Sequence, residues 1–258
     1  MSAADCTPAA ARSLFGIRFS DVEGLRETMQ IIESVDVSAT QDFRYVVTPN
    51  ADHILRIVER TGLRAIYNGA WLCLNDSRVL QLLLRLGGIE LPVVRGSDLA
   101  VELLSSQWIH GKRLIVIGGD ERVSRWLYSL SGPDAIFHYN PPMGFIESKD
   151  AVDEIVDFIG CHLPAVVFLA VGSPNQEIVA DACVRRALRG GIAFCIGAGI
   201  LMAAGIERRA PPAFRFAGLE WLYRLAGDPR RLAGRYFRDV RILRIVAREV
   251  LWGRSIMQ

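Results

Sequence analysis

Long apolar runs are missing from this 258-residue sequence. The strongest run, residues 163–171, is much shorter than the roughly 18 apolar residues that a membrane-spanning helix needs. Residues 1–12 also lack the basic start and the continuous apolar segment of a secretory signal. We therefore expect a protein that does not cross the membrane, is not exported and is located in the cytoplasm.

Signatures of metal, disulfide and dinucleotide sites are missing as well. The four histidines are scattered, and no Asp-x-Asp occurs, the carboxylate pair with which many sugar-nucleotide enzymes hold a metal. Gly197-Ala198-Gly199 lacks the third glycine and the later acidic residue of a dinucleotide fingerprint, and a P-loop is absent. We therefore expect no metal and no cofactor. The cysteines form an odd set without a Cys-x-x-Cys pair and are predicted to be buried thiols in a reducing compartment: Cys6, Cys73, Cys161, Cys183 and Cys195.

Charge is distributed unevenly along the chain. Apolar residues make up 51% of the sequence and charged residues 22%, which predicts a well-packed core. Residues 207–258 contain 12 arginines, no lysine and only 5 acidic residues, whereas the preceding part is net acidic. This block predicts a polyanionic partner: nucleic acid, phosphate groups or an anionic membrane. We expect an α/β core over residues 12–206 and a basic helical appendage over residues 207–258.

Short β-branched segments alternate with longer helical ones through most of the chain. This alternation predicts a Rossmann-like, doubly wound, mainly parallel sheet. The predicted strands are 44–48, 64–67, 91–95, 113–117, 135–139, 165–171 and 192–196, and the predicted helices are 51–60, 77–86, 97–106, 122–131, 150–161 and 176–189.

The segment 229–253 predicts an amphipathic, arginine-rich helix. It either packs on the core or contacts a membrane or lipid phosphate. The predicted basic side consists of Arg231, Arg235, Arg238, Arg241 and Arg248, and the predicted apolar side consists of Tyr236, Val240, Leu243, Val250 and Leu251.

Ligands of such sheets bind beyond the carboxyl ends of the strands, so the loops there supply the candidate site residues. Thr48 and Asn50 precede a helix, where they either cap it or bind an anionic ligand. Asp76 is either a helix N-cap or a general base that accepts a proton from an attacking hydroxyl.

Further strand-end loops contain glycines, whose backbone amides can approach a phosphate or a sugar closely. Gly118 and Gly119 end one strand, and Gly172-Ser173-Pro174 follows another. Gln176 and Glu177 come directly after that turn and can hydrogen-bond a sugar or a base. Tyr139 either stacks on a base or packs within the protein.

In order, these loops resemble the WecG/TagA/CpsF family, glycosyltransferase family 26, over roughly residues 12–245. The resemblance is most specific at Gly172–Glu177 and in the C-terminal run. The matching segments are Thr48-Pro49-Asn50, the Asp76 loop, Gly96-Ser97-Asp98-Leu99, Gly118-Gly119, Tyr139-Asn140-Pro141-Pro142, Gly172-Ser173-Pro174-Asn175-Gln176-Glu177, Arg209-Ala210-Pro211, Gly218-Leu219-Glu220-Trp221-Leu222-Tyr223-Arg224-Leu225 and Pro229-Arg230-Arg231.

The resemblance implies an inverting, metal-independent transferase that moves a sugar from a UDP-sugar to a polyprenyl-diphosphate-linked acceptor. It implies a role in surface or exopolysaccharide biosynthesis, and peripheral attachment to the inner face of the cell membrane through residues 207–258. By position, Asp76 resembles the general base, and Thr48, Asn50 and Gln176 resemble pocket residues. Arg224, Arg230 and Arg231 resemble the cations that stabilise the UDP leaving group.

The chain departs from the family pattern in two loops. Asn75-Asp76-Ser77 stands where many relatives carry Pro-Asp-Gly, and Leu201 replaces a family aspartate. The donor sugar therefore stays open between N-acetylmannosamine and a hexose such as glucose. We expect no nucleic-acid partner for the transferase, and a homo-oligomer stays open. The alternative from another class is a non-catalytic module that binds a nucleotide sugar or a polyanion.

Overall fold

The computed structural model describes residues 11–38, 41–130, 132, 135–206, 223 and 241–256, with side chains to residue 251. The predicted leaving-group cations Arg224, Arg230 and Arg231 lie outside the described residues. The strands are β1 (Ala11–Leu14), β2 (Ile17–Ser20), β3 (Arg44–Val47), β4 (Leu72–Cys73), β5 (Arg113–Ile117), β6 (Ala135–Tyr139), β7 (Val166–Leu169) and β8 (Ile192–Cys195). The α-helices are α1 (Leu25–Glu33), α2 (Ala51–Glu59), α3 (Thr61–Gly69), α4 (Arg78–Leu86), α5 (Gly96–Ser105), α6 (Glu121–Leu127), α7 (Lys149–His162), α8 (Asn175–Arg185), α9 (Gly199–Ala203) and a C-terminal helix (Ile242–Ile256). Short 3-10 turns lie at Gln107–Ile109 and Phe145–Glu147.

Six strands form one sheet in the order β4-β3-β8-β7-β5-β6, and each neighbouring pair is parallel. The last residues of five strands lie side by side across it: Val47, Cys195, Leu169, Ile117 and Tyr139. The loops that follow these strands therefore emerge at one edge of the sheet, where parallel sheets bind their ligands.

Helices cover both faces of this sheet. One apolar core contains residues of α2, α3, α4, α7, α8 and the C-terminal helix, and the other contains residues of α1, α5, α6 and α9. Strands β7 and β8 are buried at every position because both of their faces are covered. The predicted α/β class and the mainly parallel sheet are confirmed.

Two predicted strands are wrong. Residues 64–67 lie within α3, because Leu63, Ile66 and Tyr67 recur at helical spacing and bury one helix face; the strand of this unit is β4. Residues 91–95 form no strand. Their backbone is held instead by Asn75, whose carbonyl accepts from the Val94 N–H at 2.9 Å.

An N-terminal hairpin of β1 and β2 was not predicted. Its strands pair antiparallel through a turn at Phe15 and Gly16, both of which have positive φ. The Phe15 N–H donates to Glu249 Oε1 of the C-terminal helix at 2.8 Å. The hairpin and the C-terminal helix therefore contribute to the same side of the molecule, and both add residues to the same apolar core.

The C-terminal helix packs on the core, but its apolar face differs from the prediction. Ile242 and Val246 are buried, whereas Leu243 is 49% exposed and Leu251 is 66% exposed. The buried residues are four apart and thus align on one helix face, with Val250 against Gly87 continuing that stripe. None of the helices within the described ranges is both long and apolar enough to cross a membrane.

The predicted burial of the cysteines is correct for three of them and wrong for one. Cys161 is exposed, because the buried face of α7 is formed by Ile155, Val156 and Ile159 and residue 161 lies off that face. Cys6 lies outside the described residues. The buried free thiols are Cys73, Cys183 and Cys195.

Candidate functional site

The candidate site begins where β3 and β8 end side by side. Thr48 directly follows β3 and is buried, and its hydroxyl donates to the carbonyl of Cys195, the last residue of β8, at 3.2 Å. This bond ties the two strand ends together beneath the loops. The region beyond the ends of β3, β8 and β7, where parallel sheets bind their ligands, is called the crevice here, and Thr48 lies at its floor.

Asp76 lies in the loop after β4, next to this floor. Its backbone N–H donates to the carbonyl of Pro49 at 3.0 Å, and its side chain is half-buried. The N-cap of α4 is Ser77, whose Oγ accepts from the Leu80 N–H at 3.1 Å. The interpretation of Asp76 as the N-cap of α4 is therefore wrong, because Ser77 occupies that position.

Gly96, the first residue of α5, closes the crevice against Thr48 and Asp76. A Cβ atom on Gly96 would lie 2.8 Å from Thr48 Oγ1 and 3.6 Å from Asp76 Oδ2. The absence of a side chain thus lets α5 begin in contact with the predicted base. Gly199 makes a similar approach from α9, since its Cβ position lies 3.2 Å from Ser97 Cα.

Asn75 holds the loop that carries Asp76, and sequence reasoning missed it. Asn75 is 2% exposed; its Oδ1 accepts from the Ser77 N–H at 3.0 Å, and its Nδ2 donates to the Leu91 carbonyl at 3.4 Å. The available signal was an Asx turn, because an asparagine two residues before a serine N-cap commonly bonds that backbone. Asn75 therefore constrains the loop that carries Asp76.

Asn50 caps α2, so the capping interpretation is confirmed. Its Oδ1 accepts from the backbone N–H groups of Asp52 at 3.1 Å and His53 at 3.3 Å, and His53 Nδ1 accepts from the Asn50 N–H at 3.3 Å. This reciprocal pair satisfies three donors at the start of the helix. A role of Asn50 in ligand binding stays a prediction.

Gln176 and Glu177 lie in the first turn of α8 and are buried, at 3% and 1% exposure. The Gln176 Nε2 donates to Glu177 Oε1, and Gln176 Oε1 accepts from the Gly197 N–H, both at 2.9 Å. Burial is the largest influence on Glu177 and raises the pKa of its carboxyl group, although hydrogen bonds from Gln176, Ser173 and Tyr67 oppose the shift. Glu177 Oε2 is buried and accepts no geometrically good hydrogen bond from the described part of the chain.

The turn at Gly172, Ser173 and Pro174 leads from β7 into α8. Arg56 of α2 donates from a guanidinium nitrogen to the Ser173 carbonyl at 2.7 Å and also forms an ion pair with Asp52. This arginine was missed, because nothing in its helical sequence context points across the molecule to the turn. It joins the helix after β3 to the turn after β7, so these two parts of the crevice are fixed relative to each other.

Gly118 and Gly119 form the part of the edge nearest β6. Both have positive φ, and a Cβ on Gly118 would lie 2.9 Å from the carbonyl oxygen of Ala170. The Gly118 N–H donates to the Tyr139 carbonyl at 2.8 Å. His138 Nε2 lies 2.8 Å from the Gly118 carbonyl oxygen, within hydrogen-bonding distance. Only glycine fits here, because the backbone has positive φ and the neighbouring loop leaves no space for a Cβ atom.

Tyr139 packs within the protein. Its ring centroid lies 5.3 Å from that of Phe158 of α7, in a tilted arrangement. Burial raises the pKa of its hydroxyl, and the neighbouring Glu154 adds to the shift. The packing alternative for Tyr139 is therefore what the structure contains, and a contact with a base stays a prediction.

The residues brought together at the edge of the sheet include the carboxyl groups of Asp76 and Glu177 and a set of hydroxyl, amide and backbone groups. In the described part of the chain, no three His, Cys, Asp or Glu side chains cluster closely enough to hold a metal ion. The arrangement can accept a proton at Asp76 and offer hydrogen bonds to a polar ligand.

Comparison with known protein families gives a match that covers nearly the entire chain. The sequence model of the glycosyl transferase WecG/TagA/CpsF family matches residues 12–256. The match spans all the loops described above, including those that contain Thr48, Asp76 and Gln176.

Proposed function

The chain belongs to the WecG/TagA/CpsF family of glycosyl transferases, and on this basis we propose that it transfers a hexose or hexose derivative from a UDP-sugar to a polyprenyl-diphosphate-linked acceptor. The family places it in cell-surface polymer synthesis, with a nucleotide-sugar donor and a lipid-linked acceptor in general. Within this class of reaction, we propose UDP as the nucleotide of the donor, polyprenyl diphosphate as the carrier of the acceptor and an exopolysaccharide as the product.

The observation that carries this proposal is the placement of Asp76. Its side chain lies beyond the ends of β3 and β4, against Gly96, while Ser77 takes over the capping of α4. A carboxylate in such a crevice is suited to accept a proton from the acceptor hydroxyl. The hydroxyl oxygen then attacks the anomeric carbon, the bond from that carbon to the diphosphate breaks, and UDP leaves from the opposite side, which inverts the configuration.

The departing diphosphate needs positive charge or N–H donors. We assign this role to Arg224, Arg230 and Arg231, which are close in sequence within the basic segment. The backbone amides at Gly119, Gly172 and Ser173 are proposed to complete the diphosphate site, because their loops follow neighbouring strands β5 and β7. The Gly118 N–H is bonded to the Tyr139 carbonyl, so we propose that Gly118 contributes by letting this loop approach the ligand closely. Thr48 and Asn50 are proposed to contact the sugar.

The proposed attachment to the inner membrane face is supported by the outer face of the C-terminal helix. Leu243 and Leu251 are exposed there, and Arg244 and Arg248 are exposed beside them. Leucine side chains and guanidinium groups on one helix face match the acyl boundary and the phosphate layer of an anionic membrane.

The decisive experiment measures transfer by Asp76→Asn, with Asp42→Asn as the matched control. Asp42 is exposed and pairs with Arg189 at the opposite, amino-terminal end of β3. Asp76→Asn should bind the UDP-sugar but transfer at least about 100-fold more slowly, the usual contribution of a general base. Asp42→Asn should transfer like the unmodified protein. Unchanged turnover of Asp76→Asn would refute the assignment of the base.

Donor, acceptor and membrane are tested separately. A panel of UDP-sugars is offered with lipid-linked acceptors, and absence of transfer from every UDP-sugar would contradict the donor class. In flotation with anionic vesicles, replacing both Leu243 and Leu251 by glutamate should reduce binding, whereas Tyr128→Glu, at an exposed apolar residue after α6, should not. Equal flotation of both proteins would contradict attachment through the C-terminal helix.

A further inference from the structure

Glu177 has an unusual position for a carboxylic acid. It lies in the first turn of α8 and is almost completely buried, whereas acidic side chains are rarely buried without a partner. Its neighbours include the hydroxyl groups of Tyr67 and Ser173 and the amide of Gln176. Only 1% of Glu177 is exposed, which leaves little surface for direct contact with a ligand. We therefore expect Glu177 to act through the groups to which it is hydrogen-bonded.

Glu177 determines the orientation of the neighbouring amide. Glu177 Oε1 accepts from Gln176 Nε2, which leaves Gln176 Oε1 facing the Gly197 N–H. A flipped amide would place an NH2 group against the Gly197 donor and an oxygen against the Glu177 acceptor, and both bonds would be lost. The two bonds therefore form a short chain from α8 to the loop after β8.

This chain leads to Asp76 through close backbone packing. Gly199, two residues after Gly197, approaches the backbone of Gly96 and Ser97, with its Cβ position 3.3 Å from the Gly96 carbonyl oxygen. Gly96 in turn lies against Asp76 on the other side. A shift of the Gly197 peptide would change how α9 packs on the start of α5 and hence the surroundings of Asp76.

We infer that Glu177 is a positioning residue of the transferase site, which acts through Gln176 to fix the Gly197 amide and the β8–α9 loop beside Asp76. Oε1 of Glu177 performs this task, because it accepts the Gln176 N–H whether the carboxyl group is ionised or carries a proton on Oε2. Burial raises the pKa of this carboxyl group and thus favours its neutral form. The expected effect on catalysis rests on the proposed function, whereas the expected effect on the Gly197 amide does not.

The test compares Glu177→Ala, Glu177→Gln, Gln176→Ala and the double alanine variant, with Glu102→Ala as an exposed control on α5. The first measurement, independent of activity, is hydrogen exchange of the Gly197 amide. Exchange should accelerate in Glu177→Ala and Gln176→Ala, and it should be unchanged in Glu177→Gln, whose amide oxygen still accepts from Gln176, and in Glu102→Ala.

The second measurement is kcat with saturating donor and acceptor. Glu177→Ala and Gln176→Ala should each lower kcat by about 10- to 100-fold, the usual result of small displacements in a site. Because both act through one chain, the double variant should be no slower than Gln176→Ala. Glu177→Gln should stay close to the unmodified protein, a rescue that loss of packing alone does not explain.

Three results would overturn the inference. These are unchanged Gly197 exchange in Glu177→Ala, multiplicative losses in the double variant, and a Glu177→Gln protein as slow as Glu177→Ala. The exchange result stands even if Asp76→Asn proves fully active. Failure of the positioning chain is therefore distinguishable from failure of the proposed base.

Discussion

Replacing Gly96 by alanine tests whether the close start of α5 shapes the site. A methyl group would lie 2.8 Å from Thr48 Oγ1, whereas carbon and oxygen atoms in weak contact stay about 3.3 Å or more apart. Thr48 must therefore move by about 0.5 Å. Its 3.2 Å bond to the Cys195 carbonyl is already long, so a movement away from that carbonyl breaks it.

The expected loss of stability follows from these contacts. Overpacking costs about 1–3 kcal/mol, and the lost hydrogen bond adds about 1 kcal/mol. The gain in helix propensity from glycine to alanine, about 1 kcal/mol, offsets part of this. Gly96→Ala should thus lose about 1–3 kcal/mol in urea unfolding. Transfer should fall by about 10- to 100-fold, because Asp76 Oδ2 lies only 3.6 Å from the new methyl group.

Gly62→Ala is the matched control, because this glycine is also in a helix and a Cβ there meets nothing within 4 Å. It should gain about 0.5–1 kcal/mol from helix propensity and keep full activity. A Gly96→Ala protein as stable and as active as Gly62→Ala would refute the inference that the start of α5 packs against Asp76, the proposed base.

Three further predictions concern the loops, a buried acid and the thiols. Gly118→Ala should destabilise the protein in urea unfolding by more than Gly88→Ala. Both glycines have positive φ, but only a Cβ on Gly118 would also press on neighbouring backbone. Equal losses of stability would contradict this close contact. The raised pKa of Glu177 means that its contribution to stability is fully present below the ordinary carboxyl pKa and is lost as pH rises through the folded-state pKa. The Tm of Glu177→Gln should therefore rise relative to the unmodified protein as pH increases, and a constant difference would contradict this. In native protein with Cys6 replaced by serine, a thiol reagent should label the exposed Cys161 quickly, whereas labelling of the three buried thiols should require denaturant. Burial also raises the pKa of one of the buried thiols, Cys183, to about 12.

Local patterns in the sequence determined the fold class and the region of the site. Apolar strands alternating with amphipathic helices leave a parallel sheet as the consistent arrangement, and in such a sheet the strand-end loops meet at one edge. This is why the loops that contain Thr48, Asp76 and Gln176 could be predicted to emerge at the same edge of the sheet. The glycines at residues 118 and 119 were identified for the same reason.

Only the tertiary structure decided what individual residues contact. The sequence left Asp76 open between cap and base, and the bond from Leu80 to Ser77 decided against the cap. It suggested Gln176 and Glu177 as ligand contacts, whereas their burial and the bond to Gly197 reveal a link between two loops. Residues 64–67 were predicted to be a strand, because apolar side chains in a short segment fit both the strand and the helix periodicity. The structure shows that they belong to a helix with one buried face. Contacts between residues far apart in sequence depend on how helices pack over the sheet, and neither local propensity nor periodicity contains that information.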